Sequence, residues 1–222
     1  PQPWIVENPD APKGQVLRHK AFASSILNNE RRISVYLPHQ CNPNSEPYPM
    51  LLLFDLSMYA TVVPTPRILD NLIHAKKIPP VVAVLIGNVP GRRNDELPCN
   101  DKFVDFIDQE LLPWVNENYN VSKDPAQNVV AGASFGGLAS SYLAPEVEGE
   151  WLTRQYAQTE KMPIRFFIES GLNESGAPSM VITNRHFRDV LIAKGYDIVK
   201  YHEFNGGHEY LNWRGSLAAN DG

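Results

Sequence analysis

NVVAGASFGGL, residues Asn128–Leu138, sets the reading of the whole chain. Its centre, Gly132-Ala133-Ser134-Phe135-Gly136, is a G-x-S-x-G pentapeptide. Val129 and Val130 precede it as a short buried strand, and Gly136, Gly137, Ala139 and Ser140 follow as a small-residue helix start. Strand, sharp turn, helix is the context of a nucleophile elbow. Such a turn holds its serine in a strained backbone conformation, and glycines on either side let neighbouring backbone come close enough to allow it. The hydroxyl then lies at a helix N-terminus, where unpaired N–H groups favour developing negative charge. The competing reading is a tight turn of purely structural use. The residues elsewhere in the chain that such a serine needs decide between the two.

Working outward, Met50–Phe54 and Val81–Ile86 are continuous apolar runs, the pattern of strands buried on both faces of a parallel sheet. Ile164–Ile168 is a third such run after the serine, and Asp197–Phe204 a last strand. Helical spacing separates them. Arg67–Lys77 places Ile68, Leu72 and Ile73 together, and Lys102–Tyr119 aligns Phe103, Phe106, Ile107, Leu111, Trp114 and Val115, with a kink expected at Pro113. Asn184–Gly195 is amphipathic and stopped by its glycine. Upstream, Gln15–Ala23 reads as an edge strand, and Arg31–Leu37 alternates polar and apolar residues after an Asn28-Asn29 turn, which predicts a hairpin. Pro1–Lys13 reads as an arm. Asp55–Pro66 and Gly87–Asn100 read as loops. Strands alternating with helices give an α/β fold with a largely parallel sheet, in one domain spanning residues 1–222.

Composition excludes several classes of function. Net charge is −5, and Lys and Arg are dispersed, which argues against nucleic-acid binding. No apolar run approaches the length of a membrane span. Cys41 and Cys99 lack metal-ligand spacing and read as two thiols, with a disulfide left open. No metal or organic cofactor is implied. No leader is visible, although a chain beginning at Pro1 reads as trimmed; the cytoplasm is the favoured compartment, with a periplasmic or secreted one left open.

A serine hydroxyl attacks at neutral pH only with a base in hydrogen-bond reach, and the base needs a group that fixes its tautomer. After this kind of elbow the order is nucleophile, acid, histidine. His208, in Gly206-Gly207-His208-Glu209 beyond the last strand, is the expected base; His186 and His202 lie inside regular elements, and His19, His39 and His74 precede the serine. Glu174, in the loop after the Ile164–Ile168 strand, is the favoured acid, with Glu169 the alternative. Oxyanion donors are expected from the Phe135 N–H and from the segment after Met50–Phe54, at Ser57 or Leu56.

These motifs together resemble the enterochelin (enterobactin) esterase branch of the putative-esterase family, over nearly the whole chain. The resemblance rests on Trp4, Pro12-x-Gly14, Arg31-Arg32, Val35-Tyr36-x-Pro38, Leu51–Asp55, Pro79-Pro80-Val81 and Arg93-x-x-Glu96-Leu97-Pro98-Cys99-Asn100. It rests most on Glu110-Leu111-Leu112-Pro113, Ala131-Gly132-x-Ser134-Phe135-Gly136-Gly137-Leu138 and Gly206-Gly207-His208-x-x-x-x-Trp213-Arg214. It implies an α/β-hydrolase fold and a serine carboxylesterase with Ser134, His208 and Glu174 as its catalytic residues. The implied substrates are catecholate-siderophore or related aromatic esters, any iron being cargo of the substrate. Feruloyl or general acyl esters, or binding without turnover, are the alternatives.

Arg93 falls on an arginine of the family's substrate-side loop. With Arg92, Tyr59, Trp213 and Arg214 it would form a cationic, aromatic rim suited to catecholate groups. The competing role for Arg93 is to brace its loop through Glu96 or Asp95. Two departures from the family stand out: Asp55-Leu56-Ser57 replaces its usual Asp-Gly, and the segment after the nucleophile helix is short. Pro145–Glu150 is too acidic and breaker-rich for a buried return strand, so residues are expected to be missing between Ala144 and Pro145; the alternative is a true deletion that removes one sheet strand and opens the pocket wall.

Overall fold

In the computed structural model, which describes residues 3–98, 100–142, 151–174 and 179–216, a short 3₁₀ turn at Pro3–Ile5 opens the chain. The N-terminal arm is thus anchored: Asn71 Nδ2 donates to the carbonyls of Trp4 and Val6, and Arg67 donates to that of Ile5. β1 (Gln15–Ser24) and β2 (Asn29–Leu37) pair antiparallel, and Asn28 at φ 49° turns the chain between them. β3 (Met50–Leu53) and β4 (Val82–Ile86) are buried at every position, as their unbroken apolar runs predict. β5 (Asn128–Ala131) pairs with β3. The order is β1-β2-β4-β3-β5, antiparallel as far as β4 and parallel beyond it.

Helices cover both faces of this sheet. α1 (Leu56–Thr61) and α2 (Thr65–His74) press Leu56, Tyr59, Ile68, Leu69 and Leu72 onto Leu51, Leu53, Ala83 and Leu85. α1 replaces the expected loop: Asp55 in the left-handed region starts it, and its carbonyl accepts the N–H groups of Met58 and Tyr59. A short α3 (Arg93–Glu96) likewise interrupts the expected polar loop, where Glu96 pairs with the buried Arg31 of β2 at 3.0 Å.

On the other face lie α4 (Asp101–Asp105), a π-helical stretch Phe106–Leu111, and α5 (Leu112–Asn118). They pack Phe103, Phe106, Ile107, Leu111 and Val115 onto Leu52, Phe54, Val84 and Ile86. The single kinked helix of the sequence reading is three pieces. Pro113 lacks an N–H and its ring would meet a carbonyl one turn back, and the wider turn accommodates it: Leu112 N–H bonds Ile107 O, five residues back.

β5 leads through the elbow into α6 (Phe135–Tyr142). Beyond α7 (Trp151–Gln158), β6 (Phe166–Gly171) and β7 (Ile198–Phe204) form a separate parallel pair with α8 (Met180–Ala193) between them in sequence. Tyr156, Phe166, Phe187, Leu191 and Tyr196 make their core. α9 (Tyr210–Ser216) ends the described chain.

One strand departs from expectation. Val129 and Val130 are 54% and 37% exposed rather than buried. Adjacent residues of a strand point to opposite faces, so both sides of β5 are open here; among the described residues it ladders with β3 and with no strand beyond. The expected break between Ala144 and Pro145 lies outside the described residues, as does Cys99.

Candidate active site

Ser134 has φ 58°, in the left-handed region that a residue with a Cβ enters only under constraint. Its surroundings enforce this. A Cβ on Gly132 would lie 2.5 Å from the backbone of Gly136, and one on Gly137 would lie 3.1 Å from the Gly132 carbonyl. Strand end and helix start therefore touch, and the serine between them is lifted out of the sheet at the N-terminus of α6. Leu138 N–H bonds the Ser134 carbonyl at 3.0 Å, closing the first turn behind it.

Glu174 and His208 come together from the C-terminal ends of the parallel strands β6 and β7. Parallel strands place both following turns at one edge. Here backbone fuses the two turns: Asn173 N–H bonds Gly206 O at 3.0 Å, and a Cβ on Gly171 would lie 2.5 Å from that same oxygen. The Glu174 carboxylate, 5% exposed, accepts the Gly171 N–H on Oε1 at 3.0 Å and faces His208 Nδ1 with Oε2 at 3.1 Å. A carboxylate acceptor puts the imidazole proton on Nδ1, which leaves the lone pair on Nε2. The His208 side chain is 38% exposed and makes no hydrogen bond to Ser134 among the described residues. Glu169 lies inside β6, in register with His202, and its charge acts on the Tyr59 phenol.

Beside the elbow sits a residue that sequence reasoning passed over as a catalytic neighbour. Asp55, 2% exposed, lies two residues beyond β3 and leads into α1 with φ 57°. Its Oδ1 accepts Asn88 Nδ2 at 2.5 Å and Arg93 Nε at 2.6 Å. Oδ2 accepts Arg93 Nη2 at 2.8 Å and the Tyr210 hydroxyl at 3.1 Å. A Cβ on Gly136 would come within 3.2 Å of the same oxygen. This contact sets the start of α6 against the start of α1. The Leu56 and Ser57 amides open α1, in the first turn whose N–H groups have no intrahelical acceptor, and the Phe135 amide opens α6. The side chain of Ser57 is turned to Arg32, whose Nη2 donates to its Oγ at 3.4 Å.

The expected rim is partly corrected. Arg93 braces, but through Asp55: Glu96 is taken by Arg31, and Asp95 faces Arg92 at 3.6 Å. Its hydrogen bonds to the Asp55 carboxylate hold the Arg93 guanidinium above its ordinary pKa, and its cation lies 5.5 Å from the Phe135 ring centroid. Tyr59 does not belong to a rim. It is 4% exposed, edge-on to Tyr210 at 6.1 Å, and burial drives its phenol pKa well up. Trp213 stands edge-on to His208 at 4.8 Å, and Arg214 lies in the last turn of α9. Tyr210 was also missed. Burial and the Asp55 charge hold its phenol up at about 12, so it remains a hydrogen-bond donor at neutral pH. Its only sequence signal is its place just after His208. Among the described residues, no cluster of His, Cys, Asp and Glu is arranged to hold a metal, and no helix is long and apolar enough to cross a membrane.

Comparison with known proteins agrees with this architecture. The family model described as "Putative esterase" matches residues 24–151, more than half of the chain. The iron(III) enterobactin esterase of Dickeya dadantii is 30% identical over 244 residues, covering 94% of this chain and 54% of that protein. The chain spans about half the length of the curated relatives it matches first. Among solved structures, the enterobactin esterase of Shigella flexneri in the presence of enterobactin superposes with a TM-score of 0.78 at 27% identity, covering 99% of this chain and 61% of that one. A ferulic acid esterase of Anaeromyces mucronatus shares the fold at 16% identity and a TM-score of 0.75 over 100% of this chain and 94% of that one. With its elbow serine, its mixed sheet and its helices on both faces, the chain belongs to the putative esterase family and has the α/β-hydrolase fold.

Proposed function

We propose that the chain is a serine carboxylesterase working through an acyl-enzyme, with catecholate-siderophore or related aromatic esters as its substrate class. The observation that carries the reading is Ser134 at φ 58° in a turn that only glycine neighbours permit. Backbone strain at a hydroxyl poised on a helix N-terminus is otherwise an unrewarded cost of order 1–3 kcal/mol. In this reading Ser134 Oγ attacks the ester carbonyl while His208 Nε2 takes its proton. Glu174, already on Nδ1, steadies the imidazolium that forms. The Phe135 amide, with that of Leu56 or Ser57, receives the oxyanion. His208 returns the proton to the leaving alcohol, and water then releases the acid by the same route in reverse. Trp213 and Arg214 stand on the substrate side, with Arg93 bracing from beneath. The aromatic, siderophore-type substrate is supported by the relatives that carry the enterobactin esterase name.

The test pairs a covalent probe with a substrate panel. A fluorophosphonate should label the protein, and Ser134→Ala should abolish both labelling and turnover, with kcat falling by about a thousandfold or more. Among a triscatecholate lactone, a feruloyl ester and p-nitrophenyl esters, the lactone should give the highest kcat/KM. Turnover by Ser134→Ala within tenfold of the parent would overturn the mechanism. A preference for the feruloyl ester would move the substrate class, and tight lactone binding without turnover would make this a binding protein.

A further inference from the structure

The two halves of the site stand on different sheets. Ser134 follows β5 of the five-stranded sheet, whereas Glu174 and His208 follow β6 and β7 of the separate pair. Among the described residues no backbone ladder joins the two sheets. Proton transfer from Ser134 to His208 needs their atoms in register to within a fraction of an ångström. Among the described residues, contacts other than strand pairing set that register.

Each half is internally stiff. Asp55 moves with the elbow: Leu53 pairs with Ala131, Phe54 N–H bonds the Ala131 carbonyl, and Gly136 rests against the Asp55 carboxylate. His208 moves with α9: Asn212 Nδ2 bonds Gly207 O at 3.0 Å, Glu209 N–H bonds the same carbonyl, and Asn212 N–H bonds Glu209 O. Tyr210 and Trp213, one turn apart on that helix, are in ring contact at 5.0 Å, and Trp213 abuts the His208 ring. The Tyr210 hydroxyl on Asp55 Oδ2, at 3.1 Å, crosses from one stiff body to the other. Its acceptor is a carboxylate that Asn88 and Arg93 also hold, Arg93 on the same oxygen and in hydrogen-bond contact with the phenol itself, so it has little freedom to follow the phenol.

Resting on the esterase reading above, we infer that Tyr210 is a positioning residue: its hydrogen bond to Asp55 latches the histidine-bearing turn to the nucleophile elbow. Tyr210 touches no reacting atom. It acts through Trp213 and the 207–209 turn on the His208 ring, and through Asp55 on the start of α6.

Tyr210→Phe is the decisive variant, because it keeps the ring contacts with Tyr59 and Trp213 and removes only the hydroxyl. Active sites are titrated with a fluorophosphonate, and hydrolysis of p-nitrophenyl acetate is followed per titrated site. The expected result is a loss of about 10- to 100-fold in kcat and in the phosphonylation rate, since an ångström of misplacement costs about a hundredfold, with KM changed less than about threefold. A merely structural tyrosine would lower the melting temperature and the fraction of titratable sites and leave kcat per site alone. Asp55→Asn, alone and combined with Tyr210→Phe, gives the second measurement. Two residues acting through one bond should be strongly non-additive in kcat. A kcat per site within twofold of the parent in Tyr210→Phe, or additive losses in the double variant, overturns the latch. Ser134→Ala and His208→Ala, run alongside, separate the two readings. If both are inactive while Tyr210→Phe is normal, only the latch falls; if Ser134→Ala still turns over, the esterase reading falls and takes the latch with it.

Discussion

Glu174→Gln changes one oxygen to an NH₂ at almost constant volume, and the hydrogen bonds around that side chain decide its effect. The carboxylate has two fixed partners, both donors: the Gly171 N–H on Oε1 and His208 Nδ1 on Oε2. A glutamine has one carbonyl and cannot serve both. If its oxygen keeps Gly171, its NH₂ faces His208. Nδ1 must then become the acceptor, the proton moves to Nε2, and the imidazole can no longer take the serine proton. If the amide is flipped, His208 keeps its tautomer, but two donors face each other at the buried Gly171 N–H. That costs about 1–3 kcal/mol in an unsatisfied group. The His208 ring is partly solvent-exposed, so water can satisfy it in either tautomer, and rearranging it is the cheaper course. The first arrangement therefore dominates. kcat should fall by about 10³–10⁴, the loss that goes with the wrong tautomer, while the melting temperature changes by only a few degrees. The assay is p-nitrophenyl acetate hydrolysis across pH, normalised to fluorophosphonate-titrated sites. A rate within threefold of the parent would refute the reasoning, and would mean that His208 works without an orienting carboxylate. A large fall in stability with kcat per site preserved would mean that the flipped amide is the one adopted.

Close packing and buried charge set two further outcomes. Gly171→Ala should lower stability by about 1–3 kcal/mol and reduce kcat, because its Cβ would lie 2.5 Å from the Gly206 carbonyl and 3.0 Å from Glu174 Oε1, driving the acid turn and the histidine turn apart; unchanged melting and kcat would show that the two turns do not approach so closely. Arg93→Ala leaves the buried Asp55 carboxylate without its cation, which should cost about 3 kcal/mol and lower the melting temperature by roughly 6–12 °C. Its effect on kcat/KM should be the same for anionic and neutral esters, and a loss confined to anionic esters would instead make Arg93 a substrate contact.

The fold was legible where burial is symmetrical. β3 and β4 lie between two helical layers and carry unbroken apolar runs, a pattern that identifies their type and nearly their limits. Val129 and Val130 show where that rule stops. Two β-branched residues read alike at the centre and at the edge of a sheet, because the sequence of a strand does not record how many neighbours it has. The helices α1 and α9 left no periodic signal. Each is short, and each is held by contacts distant in sequence: Leu56 and Tyr59 in the core for α1, Tyr210 on Asp55 for α9. Short helices owe their stability to such packing rather than to propensity.

The site itself divides along the same line. Ser134 announces itself because strain needs local glycines, and glycine spacing is visible in sequence. Which of Glu169 and Glu174 faces His208 was visible only through topology. A side chain inside a strand points to one face of the sheet, whereas a side chain in the turn beyond the strand's C-terminal end can fold back over that end. Glu174 does this, taking the Gly171 N–H with one oxygen and leaving the other for the neighbouring turn. Asp55 and Tyr210, which lie 155 positions apart, had no such route to recognition. Asp55 ends one of the family-like stretches without a role attached to it, and Tyr210 is an unspecified position between His208 and Trp213, so nothing in the sequence joins the two. In the proposed mechanism their meaning comes from the division of Ser134 and His208 between the two sheets of the described residues. If the two groups meet as proposed, some contact must help tie one sheet to the other, and a phenol against a clamped carboxylate is short, directional and stiff enough to contribute.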